Sequence, residues 1–175
     1  MDDRDVEIVV EIPKGSRNKY EYDHERDVFR LDRRLFSAMG YPADYGFIPE
    51  TLAEDGDPLD ALILVEDPTF PGCRVMGRPV AVFWMTDEHG ADAKIICVPS
   101  GEPRWQGVFD LADLPPGLSA EIHQFFDTYK ELEPGKSTST KGYEGREAAL
   151  VEIERSKERF TRIGSHTSPT DDHRT

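Results

Sequence analysis

The first half of the chain alternates between hydrophobic and polar positions in short runs, which is typical of β-strands. Val6, Ile8, Val10 and Ile12 recur at every second residue, the periodicity of a strand with one buried face. The other runs that predict strands are 19–23, 28–32, 59–65, 79–85 and 93–98. Turn residues separate these runs, and the segment Asp87-Glu88-His89-Gly90 predicts a hairpin. Strands so closely spaced favour a small barrel.

The second half of the chain has a helical pattern. The residues that recur at intervals of three and four after a predicted N-cap at Ser119 are Ile122, Phe125, Phe126, Tyr129 and Leu132. Pro134-Gly135 predicts the end of this helix, and a second helix is predicted over 145–160. We therefore expect a single α+β domain, mainly β, over residues 1–162, and a disordered polar tail over 163–175.

Composition narrows the class of partner. The formal net charge of −14 argues against a nucleic-acid binder, which would need a basic surface for the phosphates. The first residues do not read as a secretory signal, and no apolar run approaches the ~20 residues that span a bilayer. We expect a cytoplasmic protein without a membrane partner. Cys73 and Cys97 are predicted to be buried thiols, with a single disulfide as the alternative.

The acidic segment 54–60 is the strongest chemical signal. Asp55, Asp57 and Asp60 occupy three of six consecutive positions, and Gly56 and Pro58 shape the turn between them. Such crowding repels itself unless cations neutralise it, and hard oxygen ligands suit Mg²⁺ or Mn²⁺. A solvated acidic turn is the alternative. A calcium EF-hand loop does not fit the order of residues, and neither does a phosphoaspartyl phosphatase strand.

Further acidic residues alternate with lysines on predicted strands. Lys19 and Glu21 share a face because they are two residues apart, and so do Asp92 and Lys94. Such a face suits a site that binds metals and phosphates together. Ordinary cross-strand ion pairs are the alternative.

The segment Asp55-Gly56-Asp57-Pro58-Leu59-Asp60-Ala61 is similar to the signature of the family I soluble inorganic pyrophosphatases. The other segments that resemble the family are Glu11-Ile12-Pro13, Asn18-Lys19-Tyr20-Glu21, Leu31-Asp32-Arg33, Tyr41-Pro42, Tyr45-Gly46, Met85-Thr86-Asp87-Glu88, Asp92-Ala93-Lys94 and Tyr129-Lys130. They occur in the family's order with similar spacing, and the resemblance spans about residues 6–160.

The resemblance implies a five-stranded OB-like barrel flanked by helices. It also implies Mg²⁺-dependent hydrolysis of pyrophosphate to two orthophosphates, by in-line attack of a hydroxide that bridges two metals. Several Mg²⁺ ions would bind each subunit, with Mn²⁺ or Zn²⁺ as substitutes, and bacterial members suggest a homohexamer. The face around His123, Phe126 and Tyr129 is a candidate subunit contact, with core packing as the favoured alternative.

The resemblance also implies residue roles. The metal ligands carried over are Asp55, Asp60, Asp87, Asp92, Glu11 and Glu21, and Asp57 matches the residue that accepts the proton of the attacking water. The substrate-binding residues carried over are Lys19, Arg33, Tyr45, Lys94, Tyr129 and Lys130. Glu88 is carried over in a supporting role, and Tyr41 as a site-lining residue with a core role as the alternative.

His24 and His89 resemble histidines of actinobacterial members and are hypothesised to tune metal use or pH response; exposed turn histidines are the alternative. Three rival functions remain. A metal-dependent hydrolase of nucleotides or polyphosphate is one, but the residues that resemble the family bind two phosphates closely and leave no evident base-binding pocket. An OB-type oligonucleotide binder would need interleaved basic and aromatic residues. An acidic cation buffer would not need Lys19, Arg33 or Lys130.

Overall fold

The structure is a computed structural model that describes residues 3–166. Within them, the strands are β1 (Val6–Ile12), β2 (Asn18–Asp23), β3 (Val28–Arg34), β4 (Asp44–Phe47), β5 (Asp60–Ile63), β6 (Arg74–Asp87), β7 (Gly90–Pro99) and β8 (Thr138–Gly145). The helices are α1 (Pro116–Thr128) and α2 (Arg146–His166), and short 3-10 turns cover Pro103–Trp105 and Leu111–Asp113.

Five strands form a ring. The order β1-β4-β5-β7-β6 is continuous, and β1 also pairs with β6, so the sheet curves back on itself. β8 extends the sheet beyond β6, and β2 and β3 form a separate two-stranded hairpin. All pairings in the ring are antiparallel except that of β5 with β7. The predicted α+β class and five-stranded, OB-like architecture are confirmed.

The β6–β7 hairpin explains how one end of the ring carries acidic side chains. Asp87 pairs with Gly90 across a two-residue turn, and Gly90 has a φ of 117° that favours glycine. The register of β6 shifts between Pro79 and Ala81, because proline has no N–H to give to the ladder. The pairing of Asp87 with Gly90 confirms the predicted hairpin. β6 is longer than the predicted run 79–85.

Each helix covers one part of the sheet with an apolar face. α1 buries Ile122, Phe125 and Phe126 in a cluster that includes Phe83 and Tyr45. α2 places Ala149 and Ile153 in a second cluster, which includes Leu59 at the base of the acidic segment. Burying a large apolar side chain contributes roughly 1.5–3 kcal/mol. The two helices therefore fix the strands from which the acidic residues project.

The first helix differs from its predicted start and end. α1 begins at Pro116, and Ser119 is already inside it, where its hydroxyl donates to the Pro116 carbonyl. Proline suits this first helical position because its missing N–H would lack a helical partner there. The helix ends at Thr128, so Leu132 lies outside it with 63% of its surface exposed. The predicted cap at Ser119 is wrong.

Two strands and part of α2 were not predicted. β4 has four residues, and β8 is largely polar because it lies at the edge of the sheet. Thr138, Ser139 and Thr140 are the first residues of β8. α2 continues to His166, past the predicted domain end at 162. Residues 163–166, predicted to belong to a disordered tail over 163–175, are therefore helical, and the rest of that predicted tail, 167–175, lies outside the described residues.

Both cysteines are free thiols, Cys97 buried and Cys73 half-buried. Burial raises the pKa of the Cys97 thiol. Thiols were predicted at both positions, and full burial is confirmed for Cys97 alone. Across the part of the chain that the structure describes, neither helix has the length and hydrophobicity to cross a bilayer.

Candidate active site

A polar cleft of about 640 Å³ opens at one end of the ring. Its walls come from the β2–β3 hairpin, the acidic segment before β5, the β6–β7 turn and the chain that follows α1. The predicted site residues that line it are Glu11, Lys19, Glu21, Arg33, Tyr45, Asp55, Asp57, Asp60, Asp87, Glu88, Asp92 and Lys130. Lys94, Tyr41 and Tyr129 lie behind these residues rather than on the cleft surface. The fold thus brings together side chains that are scattered along most of the sequence.

The acidic loop, residues 53–58, is closed by backbone hydrogen bonds. Ala53 N–H donates to the Asp57 carbonyl at 2.7 Å, and Gly56 N–H donates to the Ala53 carbonyl at 3.2 Å. Gly56 has a φ of 94°, which allows the tight turn. Asp57 N–H donates to the Asp55 carboxylate at 3.1 Å. The loop therefore presents Asp55 and Asp57, both exposed, to the cleft.

Lys94 is almost fully buried and lies between two carboxylates. Its Nζ is 2.9 Å from Asp60 Oδ2, 2.9 Å from Asp92 Oδ1 and 2.9 Å from the Tyr45 hydroxyl. Tyr45 in turn donates to Asp60 at 2.6 Å. Burial disfavours the lysine's charge, but Asp60 and Asp92 outweigh it and hold the pKa of Lys94 well above its usual range. Burial also raises the pKa of Asp92 against the attraction of Lys94.

Lys130 makes a similar arrangement at the β6–β7 turn. Its Nζ is 3.2 Å from Asp87 and 3.4 Å from Glu88. Burial works against an ionised Asp87, but a hydrogen bond from His89 N–H and the ammonium of Lys130 hold its pKa below the usual value. This end of the cleft therefore combines two carboxylates with a lysine held close to them.

The β2–β3 hairpin adds two further cations. Lys19 contacts Glu21 and lies 3.4 Å from Asp32. Arg33 lies 2.5 Å from Asp32 and 2.9 Å from Glu133. Their ammonium and guanidinium groups are suited to the oxygens of a phosphate.

Glu11 ties the hairpin to the ring. Its carboxylate accepts a 2.8 Å hydrogen bond from Tyr22 N–H. Burial raises the pKa of Glu11 to about 8, although that hydrogen bond opposes the shift. Ionising this buried carboxylate is costly unless a cation lies beside it, because a neighbouring positive charge stabilises the ionised form.

Several cleft residues were given no role in the sequence prediction. Asp32 and Lys136 both line the cleft. Glu133 is buried behind it and lies 3.3 Å from Lys136 Nζ as well as next to Arg33. Asp32 stands directly before Arg33 in sequence, so its position was accessible to prediction. The burial of Glu133 depends on tertiary packing and left no local signal.

Tyr41 and Tyr129 are buried aromatic residues. Tyr41 packs 5.4 Å from the Tyr45 ring and 4.8 Å from the Phe125 ring, which favours the core alternative for Tyr41. Tyr129 has 5% exposure, and Lys130 Nζ lies 5.5 Å from the centre of its ring. These contacts place both tyrosines behind the charged groups.

The histidines His24 and His89 both line the cleft. The His24 ring packs edge-on against Tyr22 at 4.6 Å, whereas 75% of the His89 side chain is exposed.

On α1, His123 Nε2 lies 2.9 Å from Thr140 Oγ1, and Phe126 is buried in the core. Core packing is thus the observed environment of Phe126.

The carboxylates of the cleft fit a hard divalent cation. They supply oxygen ligands only. Although Asp55 reaches solvent, partial desolvation and the neighbouring carboxylates of Asp92 and Asp57 raise its pKa, so an uncompensated charge there is unfavourable. Within residues 3–166, no three His, Cys, Asp or Glu side chains are already grouped closely enough to enclose an ion. Lys94 instead separates Asp60 from Asp92. Ligands for a cation would therefore come from different walls of the cleft.

Comparison with known proteins agrees with this geometry. The sequence profile of the family described as Inorganic pyrophosphatase matches residues 8–161. A Streptomyces coelicolor protein named Inorganic pyrophosphatase is 52% identical over 162 residues, which cover 93% of this chain and 99% of that protein. A Methanosarcina acetivorans protein of the same name is 53% identical, covering 91% and 95%.

Solved structures give the same result at the level of the fold. The crystal structure of inorganic pyrophosphatase from Thermus thermophilus superposes with a TM-score of 0.89 at 46% identity, covering 91% of this chain and 92% of that one. A structure from Helicobacter pylori gives a TM-score of 0.87 at 41% identity, covering 90% and 94%. The family profile, the relatives and the ring of strands around a carboxylate-rich cleft agree, and the chain belongs to the inorganic pyrophosphatase family.

Proposed function

We propose that this protein is an enzyme that hydrolyses inorganic pyrophosphate to two orthophosphates in the presence of Mg²⁺. The observation that carries the proposal is the composition of the cleft. Carboxylates from several parts of the chain face the same space as Lys19, Arg33 and Lys130. A site of that kind can hold divalent cations and a small, highly charged phosphoanhydride at once.

The cations of the protein are assigned to substrate. Arg33 would hold one phosphate with two parallel hydrogen bonds, and Lys19 and Lys130 would act as point charges on the oxygens. Tyr45 lines the cleft and is hydrogen-bonded to both Asp60 and Lys94. Tyr129 would support Lys130 from behind, and Lys94 would supply positive charge between Asp60 and Asp92. The charge on the departing phosphate is then neutralised where it develops.

The carboxylates are assigned to metal and to proton transfer. Asp55, Asp60 and Asp92 would hold the first Mg²⁺, with Asp87, Glu11 and Glu21 serving further ions and Glu88 supporting Asp87. Mg²⁺, when bound, supplies charge neutralisation and Lewis acidity to the reaction. Asp57 would accept the proton of the attacking water, for which its exposed position on the acidic loop is suitable.

The decisive experiment is a phosphate-release assay on purified protein with pyrophosphate, ATP and tripolyphosphate, each with Mg²⁺ and with EDTA. We expect rapid Mg²⁺-dependent release from pyrophosphate and far slower release from the other two. Faster hydrolysis of ATP or tripolyphosphate would favour the nucleotide or polyphosphate hydrolase instead. Metal binding without hydrolysis of any substrate would favour the cation buffer.

We further propose that the protein is cytoplasmic, as expected from its sequence, and that it assembles as a homohexamer, as the resemblance to bacterial members of the family implies. The mass in solution, measured by light scattering after size-exclusion chromatography, tests the assembly. A mass of one subunit at assay concentration would reject it.

A further inference from the structure

Helix α2 holds Leu52, the residue directly before the acidic loop, through both the N–H and the carbonyl group of Leu52. Leu52 N–H donates to the Ser156 carbonyl at 2.9 Å, and the Leu52 carbonyl accepts from Arg159 Nε at 2.7 Å. Leu52 and Arg159 are 107 positions apart in sequence. Within residues 3–166, the start of the acidic loop is thus fixed to a helix that contributes no residue to the lining of the cleft.

Arg159 is itself held in place by two buried residues. Its Nη2 donates to Glu152 Oε1 at 2.6 Å and to Ser156 Oγ at 2.8 Å. Ser156 Oγ also lies 3.3 Å from Glu152 Oε1, and both residues are 5% exposed or less. The planar guanidinium can serve Glu152 and Leu52 at the same time because its donors point in fixed, different directions.

The far end of the loop has hydrogen bonds of its own, and Leu59 also packs in the apolar cluster that contains Ala149 and Ile153 of α2. Leu59 N–H donates to Thr51 Oγ1 at 2.9 Å, and Ile48 N–H donates to the Leu59 carbonyl at 2.9 Å. Between these supports, the loop must hold Asp55 and Asp57 on the same side of the cleft despite their mutual repulsion. The contact at Leu52 is the hydrogen-bonded support through which α2 can control the position of these two carboxylates, in addition to the apolar packing of Leu59.

We propose that Arg159 is a positioning residue, which acts through the Leu52 carbonyl to hold Asp55 and Asp57 where metal binding and proton transfer require them. The inference rests on the proposed function, because those roles belong to it. Groups that support metal ligands from outside the site are worth ~10- to 100-fold in metal affinity or activity. The alternative is that Arg159 only anchors α2 to the domain.

The two roles predict different kinetics. Lys19, Arg33 and Lys130 lie on the β2–β3 hairpin and after α1, whereas the hydrogen bonds of Arg159 go to Leu52 and to its own helix. Loss of positioning should therefore lower kcat and weaken metal binding while leaving the KM for pyrophosphate within ~2-fold. A purely structural role would lower the melting temperature with kcat and metal affinity unchanged in the folded protein.

The test compares Arg159→Met with Arg155→Met, a matched change at an exposed position of the same helix. The readouts are kcat, KM, the Mg²⁺ concentration for half-maximal activity, and Mn²⁺ affinity by calorimetry without substrate. Hydrogen–deuterium exchange of residues 52–58 in metal-free protein adds a measurement that is independent of activity. For Arg159→Met we expect a ~10-fold lower kcat, ~10-fold weaker Mn²⁺ binding and faster exchange in the loop. Arg155→Met should match the wild type in all three.

Arg159→Lys keeps the inference testable if the methionine variant does not fold. It retains a positive charge beside Glu152 but not the fork that reaches Leu52 as well, so it should show the same changes with a smaller loss of stability. Wild-type loop exchange and Mn²⁺ affinity in Arg159→Lys would overturn the inference, as would an unaltered loop in folded Arg159→Met. An inactive wild type would instead reject the proposed function, and loop exchange would still decide the role of Arg159.

Discussion

Lys94 and Asp60 face each other across the parallel pairing of β5 and β7, and 2.9 Å separates Lys94 Nζ from Asp60 Oδ2. The register sets the two residues side by side, and burial together with hydrogen bonds to Asp60, Asp92 and Tyr45 holds the ammonium group in place. It supplies a permanent positive charge between Asp60 and Asp92, deep in the wall of the cleft.

Replacing this lysine by an apolar residue of similar length should make the protein depend on metal for its stability. Lys94→Met leaves two neighbouring carboxylates without the ammonium between them, and breaking a buried ion pair costs ~3–5 kcal/mol. We expect a lower melting temperature in EDTA and a larger rise on adding Mg²⁺ than in the wild type. Melting curves with EDTA and with Mg²⁺ measure both values. The exposed change Lys157→Met is the control, and equal Mg²⁺ shifts in all three proteins would contradict the prediction.

Asp57→Asn should remove most of the turnover with little effect on folding. The amide cannot accept a proton at neutral pH, whereas the backbone bonds of Asp57 to Ala53 and Asp55 stay possible. We expect kcat to fall by ~10²- to 10⁴-fold, the usual range for a general base, at an unchanged melting temperature. Asp67→Asn, which alters an exposed aspartate outside the cleft, should have wild-type kcat. Near wild-type kcat in Asp57→Asn would show that another group takes the proton.

Lys19→Ala should act mainly on substrate binding. Lys19 lies on the hairpin with 20% of its side chain exposed, and its ion pairs are with Glu21 and Asp32. Loss of one charge-assisted contact of ~1.5–3 kcal/mol corresponds to a ~10- to 100-fold lower kcat/KM. Steady-state kinetics at saturating Mg²⁺ should assign most of the loss to KM. A pure kcat effect would move Lys19 from binding to transition-state stabilisation.

The predictable part of the fold was the part with local signals. The alternation in β1 and the turn residues at Asp87–Gly90 identified strands and a hairpin because one face is buried and the turn requires glycine. β4 was missed because four residues are too few to show a period. β8 was missed because an edge strand with polar residues resembles a loop in sequence.

The same division holds for the cleft. Asp55, Asp57 and Asp60 stand close together in sequence, so their shared location follows from the order of residues alone. The environment of Glu133, buried beside Arg33, and the contact of Arg159 with Leu52 join distant parts of the chain. No periodicity or spacing encodes such contacts, because they arise only when the helices pack on the sheet.

Glu11 gives the metal-free protein a pH dependence whose sign can be worked out. Its pKa rises from 4.5 to about 8 on folding, chiefly through burial, so the native state binds this proton more tightly than the unfolded chain does. The corresponding stability is fully present below pH 4.5 and is lost as the pH rises through about 8.

Glu11→Gln should therefore stabilise the protein in EDTA at high pH. Glutamine keeps an oxygen that can accept from Tyr22 N–H but carries no charge to bury. We expect the free energy of unfolding to exceed that of the wild type by ~1–3 kcal/mol at about pH 9 and to match it near about pH 4. Urea unfolding in EDTA at both pH values measures this difference, with Glu7→Gln, a partly exposed site on the same strand, as the control. With Mg²⁺ at the higher pH, the wild type should instead be the more stable protein, because the variant lacks a carboxylate that the bound ion would favour. A variant less stable than the wild type in EDTA at that pH would refute the buried-charge explanation.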